Sequence, residues 1–234
     1  MNAPRCWALV PAAGSGSRLG GERPKQYLEI AGKPLIAHTL KSLTEVGPIL
    51  GIAVGLASDD RWWHENIVTS DRILGTYVGG KSRAETVLRG LEFLEPHFST
   101  GDWVLVHDAA RPCVRPLDVE RLISERGDSS SGALLAVPIS DTIKQSNSLG
   151  QVERTISREG LWYAQTPQLY SYEALRDALQ GSDLATVTDD SSAMEAAGYM
   201  PRLVPGRADN LKVTTRQDLE LAALILQARC QGGD

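Results

Sequence analysis

The stretch Cys6-Trp7-Ala8-Leu9-Val10-Pro11-Ala12-Ala13-Gly14-Ser15-Gly16-Ser17-Arg18-Leu19-Gly20 decides the fold. Its first six residues form a short apolar run that suits a strand buried on both faces of a parallel sheet. A glycine-rich turn follows directly. Glycines there let backbone N–H groups approach a phosphate without interference from side chains. Two well-known phosphate loops fail to match. A dinucleotide fingerprint requires a third glycine three residues after the second, where this chain has Leu19 and delays its glycine to Gly20. A P-loop ends in Gly-Lys-Ser/Thr, and this turn does not. Its own mark is a pair of cations, Arg18 and Lys25, close behind the glycines. Such cations, with the N–H dipoles, suit the charge that develops on a transferring phosphate and on departing pyrophosphate. Arg grips two oxygens at once, and Lys supplies a point charge. The plain alternative is a flexible loop with two solvated basic residues.

Outward from this loop, apolar runs alternate with helical patterns. Ile49–Leu56, Ile73–Val78, Trp103–His107 and Ala133–Val137 read as strands. Leu35–Glu45, Asp59–Val68, Arg83–Glu95 and Leu117–Arg126 read as helices, the third with an apolar stripe of Val87, Leu88, Leu91 and Leu94. Repeated strand–helix order implies a doubly wound α/β sheet with ligands at the carboxyl ends of its strands. The rhythm breaks at about 139–158, where two polar strand-like segments flank Ser146-Asn147-Ser148-Leu149-Gly150, a β-hairpin signal. So polar a hairpin either packs on another subunit or is a surface excursion. Helices follow at Tyr172–Gln180 and Asp190–Ala197, with Thr188-Asp189-Asp190 reading as an N-cap. A short strand comes at Arg202–Val204. The last helix, about Arg216–Arg229, opens with a capping box from Thr215 to Asp218, and its Leu219, Ala222, Ala223 and Leu226 are expected to dock on the sheet. No linker or repeat interrupts the 234 residues, so one domain is expected over 1–234.

The totals narrow the partners. A net charge of -5 argues against a general nucleic-acid binder, though a few local Lys and Arg can still build a cationic pocket. No stretch nears the ~20 apolar residues of a membrane helix, and no signal peptide is visible, so a cytoplasmic protein without membrane contact is expected. The three cysteines are sparse and lack metal-ligand spacing; Cys6 and Cys113 are expected to be buried and inert.

Later motifs add chemistry. Gly79-Gly80-Lys81-Ser82-Arg83-Ala84-Glu85-Thr86-Val87 turns from a strand into a helix, where glycines admit a flat ligand and the helix start offers N–H donors. His107-Asp108-Ala109-Ala110-Arg111-Pro112 puts a carboxylate at a strand's carboxyl end, where Asp108 can hold Mg2+ or act as a cap or ion-pair partner, and Arg111 can pair with a phosphate. His107 reads as structural. The hydroxyls of Thr142 and Thr166 suit a polyol, which is read by directional hydrogen bonds.

LVPAAGSGSRLG at 9–20 with PKQYLEIAGKPLI at 24–36, the GG-x-x-R-x-x-S/T-V segment at 79–87, HDAARP at 107–112 and GRADNLKVT at 206–214 resemble the 2-C-methyl-D-erythritol 4-phosphate cytidylyltransferase family, nearly end to end. The resemblance implies a single-domain Rossmann-like nucleotidyltransferase fold, with a mostly parallel twisted sheet and a protruding β-hairpin arm at about 139–158. It implies cytidylyl transfer from CTP to a phosphorylated polyol with Mg2+, in isoprenoid-precursor synthesis. Ribitol 5-phosphate is the alternative acceptor, since both are linear polyol phosphates. Carried over by position, Arg18, Lys25, Arg158 and Lys212 are the catalytic candidates. Ala12, Ala13, Gly14, Gly16, Gly80 and Thr86 would hold the nucleotide, while Asp108, Arg111, Thr142 and Thr166 would hold the acceptor. Asp108, and secondarily Asp209, would meet the metal, although Asp209 equally suits organising the Asn210 turn. The family places the equivalent of Arg158 on a partner subunit's arm, which implies a homodimer. Two other classes fit less well. An NAD-dependent oxidoreductase is disfavoured by the displaced glycine and Lys25, and a non-catalytic nucleotide-binding module by the retained charged positions.

Overall fold

The computed structural model describes residues 5–14, 23–64, 67–127 and 130–232. The strands are β1 (Cys6–Pro11), β2 (Glu29–Ile30), β3 (Lys33–Pro34), β4 (Ile49–Leu56), β5 (Ile73–Val78), β6 (Trp103–Val106), β7 (Ala133–Pro138), β8 (Ile143–Ser146), β9 (Val152–Ile156), β10 (Trp162–Ser171) and β11 (Arg202–Pro205). The helices are α1 (Leu35–Thr44), α2 (Arg83–Leu94), α3 (Pro116–Glu125), α4 (Tyr172–Gln180), α5 (Asp190–Ala196) and α6 (Arg216–Gly232).

Seven strands form one sheet in the order β11-β7-β10-β6-β1-β4-β5. All of its pairs are parallel except the two made by β10, which runs antiparallel to both β6 and β7. Alternation along β1 shows why the sheet is covered on both faces. Cys6, Ala8 and Val10 join a core with Ile36, Leu40 and Leu43 of α1 and Val119 and Leu122 of α3. Trp7 and Leu9 point the other way, into a core with Val87, Leu91 and Leu94 of α2, Leu175 and Leu179 of α4, and Met194 of α5. The expected apolar stripe on α2 is therefore the face that seals the sheet, with Leu88 only partly buried beside it. Chain order reverses between β1 and β6: β1 continues outward to β4 and β5, and β6 lies on its other side. Their carboxyl ends flank the crevice where doubly wound sheets bind ligands. Burial pushes the Cys6 thiol up to about 12 and that of Cys113 up to about 11, so both are inert; Cys230 is exposed.

Three elements depart from the sequence expectations. No α-helix forms in the described part of Asp59–Val68. The Asp60 carboxylate accepts the N–H groups of Trp62 and Trp63, both at 2.9 Å, and the Tyr27 hydroxyl at 2.8 Å. This local side-chain bonding competes with a helix and holds residues 57–64 in turns. Second, α6 docks on β2 and on a small core of Ile30, Leu35, Cys113 and Val213, not on the central sheet. Its capping box does form: Thr215 N–H donates to Asp218 at 2.8 Å and Asp218 N–H to the Thr215 hydroxyl at 3.2 Å. Third, β10 has no apolar signature. Gln165, Thr166, Pro167 and Gln168 interrupt it where its ladder with β7 shifts register, around the cis Thr166–Pro167 bond.

Hairpin β8–β9 pairs only with itself, and residues 144–155 are all exposed. Among the described residues, no helix is long and apolar enough to cross a membrane.

Candidate active site

At the carboxyl end of β1 the chain turns through Ala12, Ala13 and Gly14. Ala12 N–H donates to the Gly55 carbonyl at 2.7 Å, and the buried Gln26 amide donates to the carbonyls of Ala12 (2.7 Å) and Gly14 (3.3 Å). Gln26 sits in a single 3-10 turn, Lys25–Tyr27, which also brings the Lys25 ammonium to the Val213 carbonyl at 3.2 Å. The loop's approach to the sheet is thus fixed from behind by an amide side chain. Gly16 and Arg18 lie outside the described residues.

After β5, Gly79 N–H donates to the Leu56 carbonyl at 2.7 Å and the chain turns into α2. A methyl group on Gly79 would collide with that of Ala13, so glycine lets the two loops touch. The Thr86 hydroxyl accepts Gly80 N–H at 3.0 Å and donates to the Ser82 carbonyl at 2.9 Å, while the Ser82 side chain caps the helix by accepting Glu85 N–H. Glu85 in turn accepts Lys81 N–H at 2.7 Å and pairs with Arg89, whose guanidinium donates to the Gly79 carbonyl. These bonds tie the turn to the start of α2.

Asp108 stands just beyond β6 and is 7% exposed. Arg83 Nε donates to its Oδ1 at 2.9 Å, and Lys212 Nζ lies 2.8 Å from Oδ2, with Arg111 Nε at 3.7 Å. Burial alone would raise this carboxyl, but Arg83, Lys212 and Arg111 outweigh it and hold it well below the usual carboxylate range. A chain of hydrogen bonds fixes the backbone underneath. Asp108 N–H donates to the Thr166 hydroxyl (3.0 Å), which meets His107 Nδ1 (3.0 Å), and His107 Nε2 faces the Arg111 carbonyl (3.2 Å). A carbonyl only accepts, so Nε2 carries the proton and Nδ1 accepts from the hydroxyl. Burial lowers the His107 pKa to about 4, so the ring is neutral at ordinary pH.

The closing segment 206–213 is tied to the same centre. Arg111 donates to the Asn210 carbonyl at 2.7 Å, Asn210 donates to the Thr166 carbonyl at 2.9 Å, and Val213 N–H donates to the Ala110 carbonyl at 2.8 Å. These bonds deliver Lys212 to Asp108.

One cleft gathers Ala12, Ala13, Gly14, Lys25, Gly80, Thr86, Asp108 and Lys212 from the sequence candidates, and adds Gln26, Lys81 and Arg83. Lys25, Lys81, Arg83 and Lys212 face a single carboxylate among its described lining residues, a cationic pocket within an acidic chain. Other candidates stand elsewhere. Thr166 is 4% exposed and spends its hydroxyl inside the fold; Arg111 lies behind Asp108. Thr142 and Arg158 are exposed at the foot of the hairpin, and neither lines this cleft. Asp209 is clamped by Arg115, Arg207 and Arg229 at 3.1, 3.2 and 3.1 Å and does not line the cleft, so its carboxylate is already committed. Sequence reasoning met Gln26, Arg83 and Asp190 only inside its motifs and gave none of them a role in the site. Asp190 is fully buried, with Oδ2 2.9 Å from Arg83 Nη2.

Among the described residues, no group of three or more His, Cys, Asp or Glu is placed to hold a metal ion. Mg2+ characteristically takes one or two carboxylates and fills its other positions with substrate phosphates and water. Asp108 is the carboxylate among the cleft's described lining residues, and it fits a metal that arrives with a triphosphate once Lys212, its exposed partner, leaves Oδ2.

A doubly wound sheet with a cationic cleft at its switch point, bounded by a glycine turn, defines a nucleotide-binding α/β protein of the nucleotidyltransferase type. The family described as IspD, 2-C-methyl-D-erythritol 4-phosphate cytidylyltransferase, matches residues 6–228, and the chain belongs to it. A 2-C-methyl-D-erythritol 4-phosphate cytidylyltransferase of Azoarcus sp. (strain BH72) is 48% identical over 97% of this chain and 96% of its own length. A crystal structure of 4-diphosphocytidyl-2C-methyl-D-erythritol synthase superposes with a TM-score of 0.83 at 36% identity, over 95% of this chain and 99% of that one. The Francisella tularensis 2-C-methyl-D-erythritol 4-phosphate cytidylyltransferase gives 0.79 at 32% identity, over 94% and 99%.

Proposed function

We propose that this chain transfers the cytidylyl group of CTP to 2-C-methyl-D-erythritol 4-phosphate, forming 4-diphosphocytidyl-2-C-methyl-D-erythritol and pyrophosphate in isoprenoid biosynthesis. The observation that carries it is the cationic cleft at the β1/β6 switch point, which lies within the residues that match the family. A phosphate oxygen of the acceptor attacks the α-phosphorus, a P–O bond forms there, and the bond to the β-phosphate oxygen breaks. The nucleophile is already ionised near neutral pH, so no general base is needed. His107, neutral and with both ring nitrogens engaged, is suited to support and not to proton transfer. Catalysis then rests on positioning and charge. The glycine turn and the Gly80–Thr86 turn receive the nucleotide, Lys25 with Arg18 offsets charge on the phosphates, and Lys212 moves between Asp108 and the acceptor's phosphate. Mg2+ bound at Asp108 with the triphosphate would neutralise phosphate charge. Pyrophosphate release, measured with CTP over a panel of polyol phosphates, tests the reading. Preference for methylerythritol phosphate supports it, and preference for ribitol 5-phosphate replaces the acceptor.

The arm supports a composite site in a homodimer. Leu149 and Val152 are 80% and 65% exposed on a hairpin that pairs only with itself, and Arg158 at its foot does not line its own chain's cleft. A second copy would cover those apolar residues and receive Arg158 as a ligand for the acceptor's phosphate.

A further inference from the structure

Asp190 is the first residue of α5, and no part of it is exposed. A carboxylate taken wholly out of water is costly unless it is paired. Neither of its oxygens has a hydrogen bond that satisfies it, and its one ion pair is with Arg83. The same guanidinium donates through Nε to Asp108. One planar cation therefore joins two buried carboxylates, one at the end of β6 and the other at the start of α5. Arg83 itself opens α2, directly after the glycine turn of the cleft.

The division of this guanidinium has a consequence for Asp108. With Asp190 absent, Asp108 would be its only anionic partner, and the fork would be free to rotate and take both Asp108 oxygens bidentately. With Asp190 present, Nη2 lies 2.9 Å from Asp190 Oδ2 as an ion pair without an aligned hydrogen bond, and Nε is the atom that donates to Asp108 Oδ1. Oδ2 stays with Lys212, the exposed partner that an incoming ligand can displace. Asp190 itself is sealed from the cleft and touches no ligand there.

We propose that Asp190 is a positioning residue for acceptor binding, holding Arg83 so that Asp108 keeps one oxygen turned to Lys212 and the cleft. This rests on the reading in which Lys212 leaves Asp108 to hold the acceptor's phosphate. Steady-state kinetics of Asp190→Asn, Arg83→Gln and the double variant test it, with both substrates varied. Asp190→Asn is expected to lower kcat/KM for the polyol phosphate by about tenfold or more while KM for CTP stays within about twofold. In the Arg83→Gln background the same change is expected to add nothing, because the two act as one unit. Arg83→Lys, the milder change should Asp190→Asn fail to fold, is expected to lose acceptor kcat/KM as well, since an ammonium cannot span two carboxylates as a fork does. Wild-type acceptor kcat/KM in Asp190→Asn or in Arg83→Lys, additive losses in the double variant, or an equal loss for CTP would overturn it. Asp108→Asn separates the two levels. Unchanged acceptor KM there sinks the underlying assignment of Asp108, whereas a raised KM beside a normal Asp190→Asn sinks only the role given to Asp190.

Discussion

Lys25 enters the cleft from a turn that also carries Gln26, so two adjacent side chains do different work: the amide shapes the glycine loop, and the ammonium lines the cleft. Lys25→Ala removes a charge whose benefit grows as negative charge builds on the phosphates. By analogy with loss of one transition-state stabiliser, kcat is expected to fall about 10²–10³-fold, with melting temperature nearly unchanged. A kcat equal to wild type would refute the role. His107 yields a prediction in pH. Its folded pKa is depressed from 6.5 to about 4, so between those values the unfolded chain binds the extra proton and the folded one does not. The contribution is complete above 6.5 and is lost as pH falls towards 4, amounting to at most about 3 kcal/mol. His107→Gln is expected to flatten the dependence of urea-unfolding free energy on pH across that window; an unchanged slope would mean the ring titrates normally in the fold. Much at this scale was legible. The apolar run ending in Pro11 and the first glycine behind it announced a strand and a turn, which borders the cleft, because backbone requirements leave local marks. Asp190 left none, and Arg83 only its place in the GG-x-x-R-x-x-S/T-V segment: each sits where a helix begins, and its sequence neighbours describe a helix start, not the partner that the fold brings across from another element. Thr166 shows the converse, since a hydroxyl suited to a polyol is equally suited to holding a histidine and a backbone N–H.

At the scale of elements, α5 has seven residues and depends on its start. Asp189 accepts Ser192 N–H at 3.0 Å in a capping box, and its other oxygen accepts the buried Gln168 amide at 2.8 Å. So short a helix has little propensity of its own. Asp189→Ala is expected to cost about 1–2 kcal/mol in urea unfolding, the upper end of cap losses because the Gln168 amide also loses its acceptor. A loss below a few tenths would show that packing of Ala193 and Met194 holds the helix without its cap. The elements that were misread share a cause. Residues 59–68 have an amphipathic pattern, but Asp60 satisfies the N–H groups of Trp62 and Trp63 locally, and a pattern of apolar residues does not record that competition. The α6 stripe was recognised and its partner mistaken, because a stripe says which face is buried and not what buries it; the small β2–β3 hairpin lies where the sheet was expected. β10 was missed since polar residues in its middle serve Asp108 and Asn210 from a central position in the sheet.

For the molecule as a whole, the question is whether one chain makes a complete site. Lys25, Arg83, Asp108 and Lys212 meet in one cleft, while Arg158 stands exposed at the foot of an arm whose strands bond only to each other. If the arm of one copy serves the cleft of another, catalytic defects in different subunits must complement. A Lys25→Ala chain mixed with an Arg158→Ala chain forms heterodimers in which one site receives both defects and the other receives neither. Equal mixing with free exchange then restores about a quarter of wild-type sites, because half the dimers are mixed and each carries one good site of two. The signal is recovery of pyrophosphate release towards that fraction from two inactive preparations, together with dimer mass in sedimentation or light scattering. If Arg158 instead folds back onto its own chain, every site keeps one defect and mixing restores nothing, even when subunit exchange is demonstrated with differently tagged chains. A monomer with full activity would remove both the dimer and the shared site, and would require the acceptor's phosphate to be held by Lys212 and its neighbours alone.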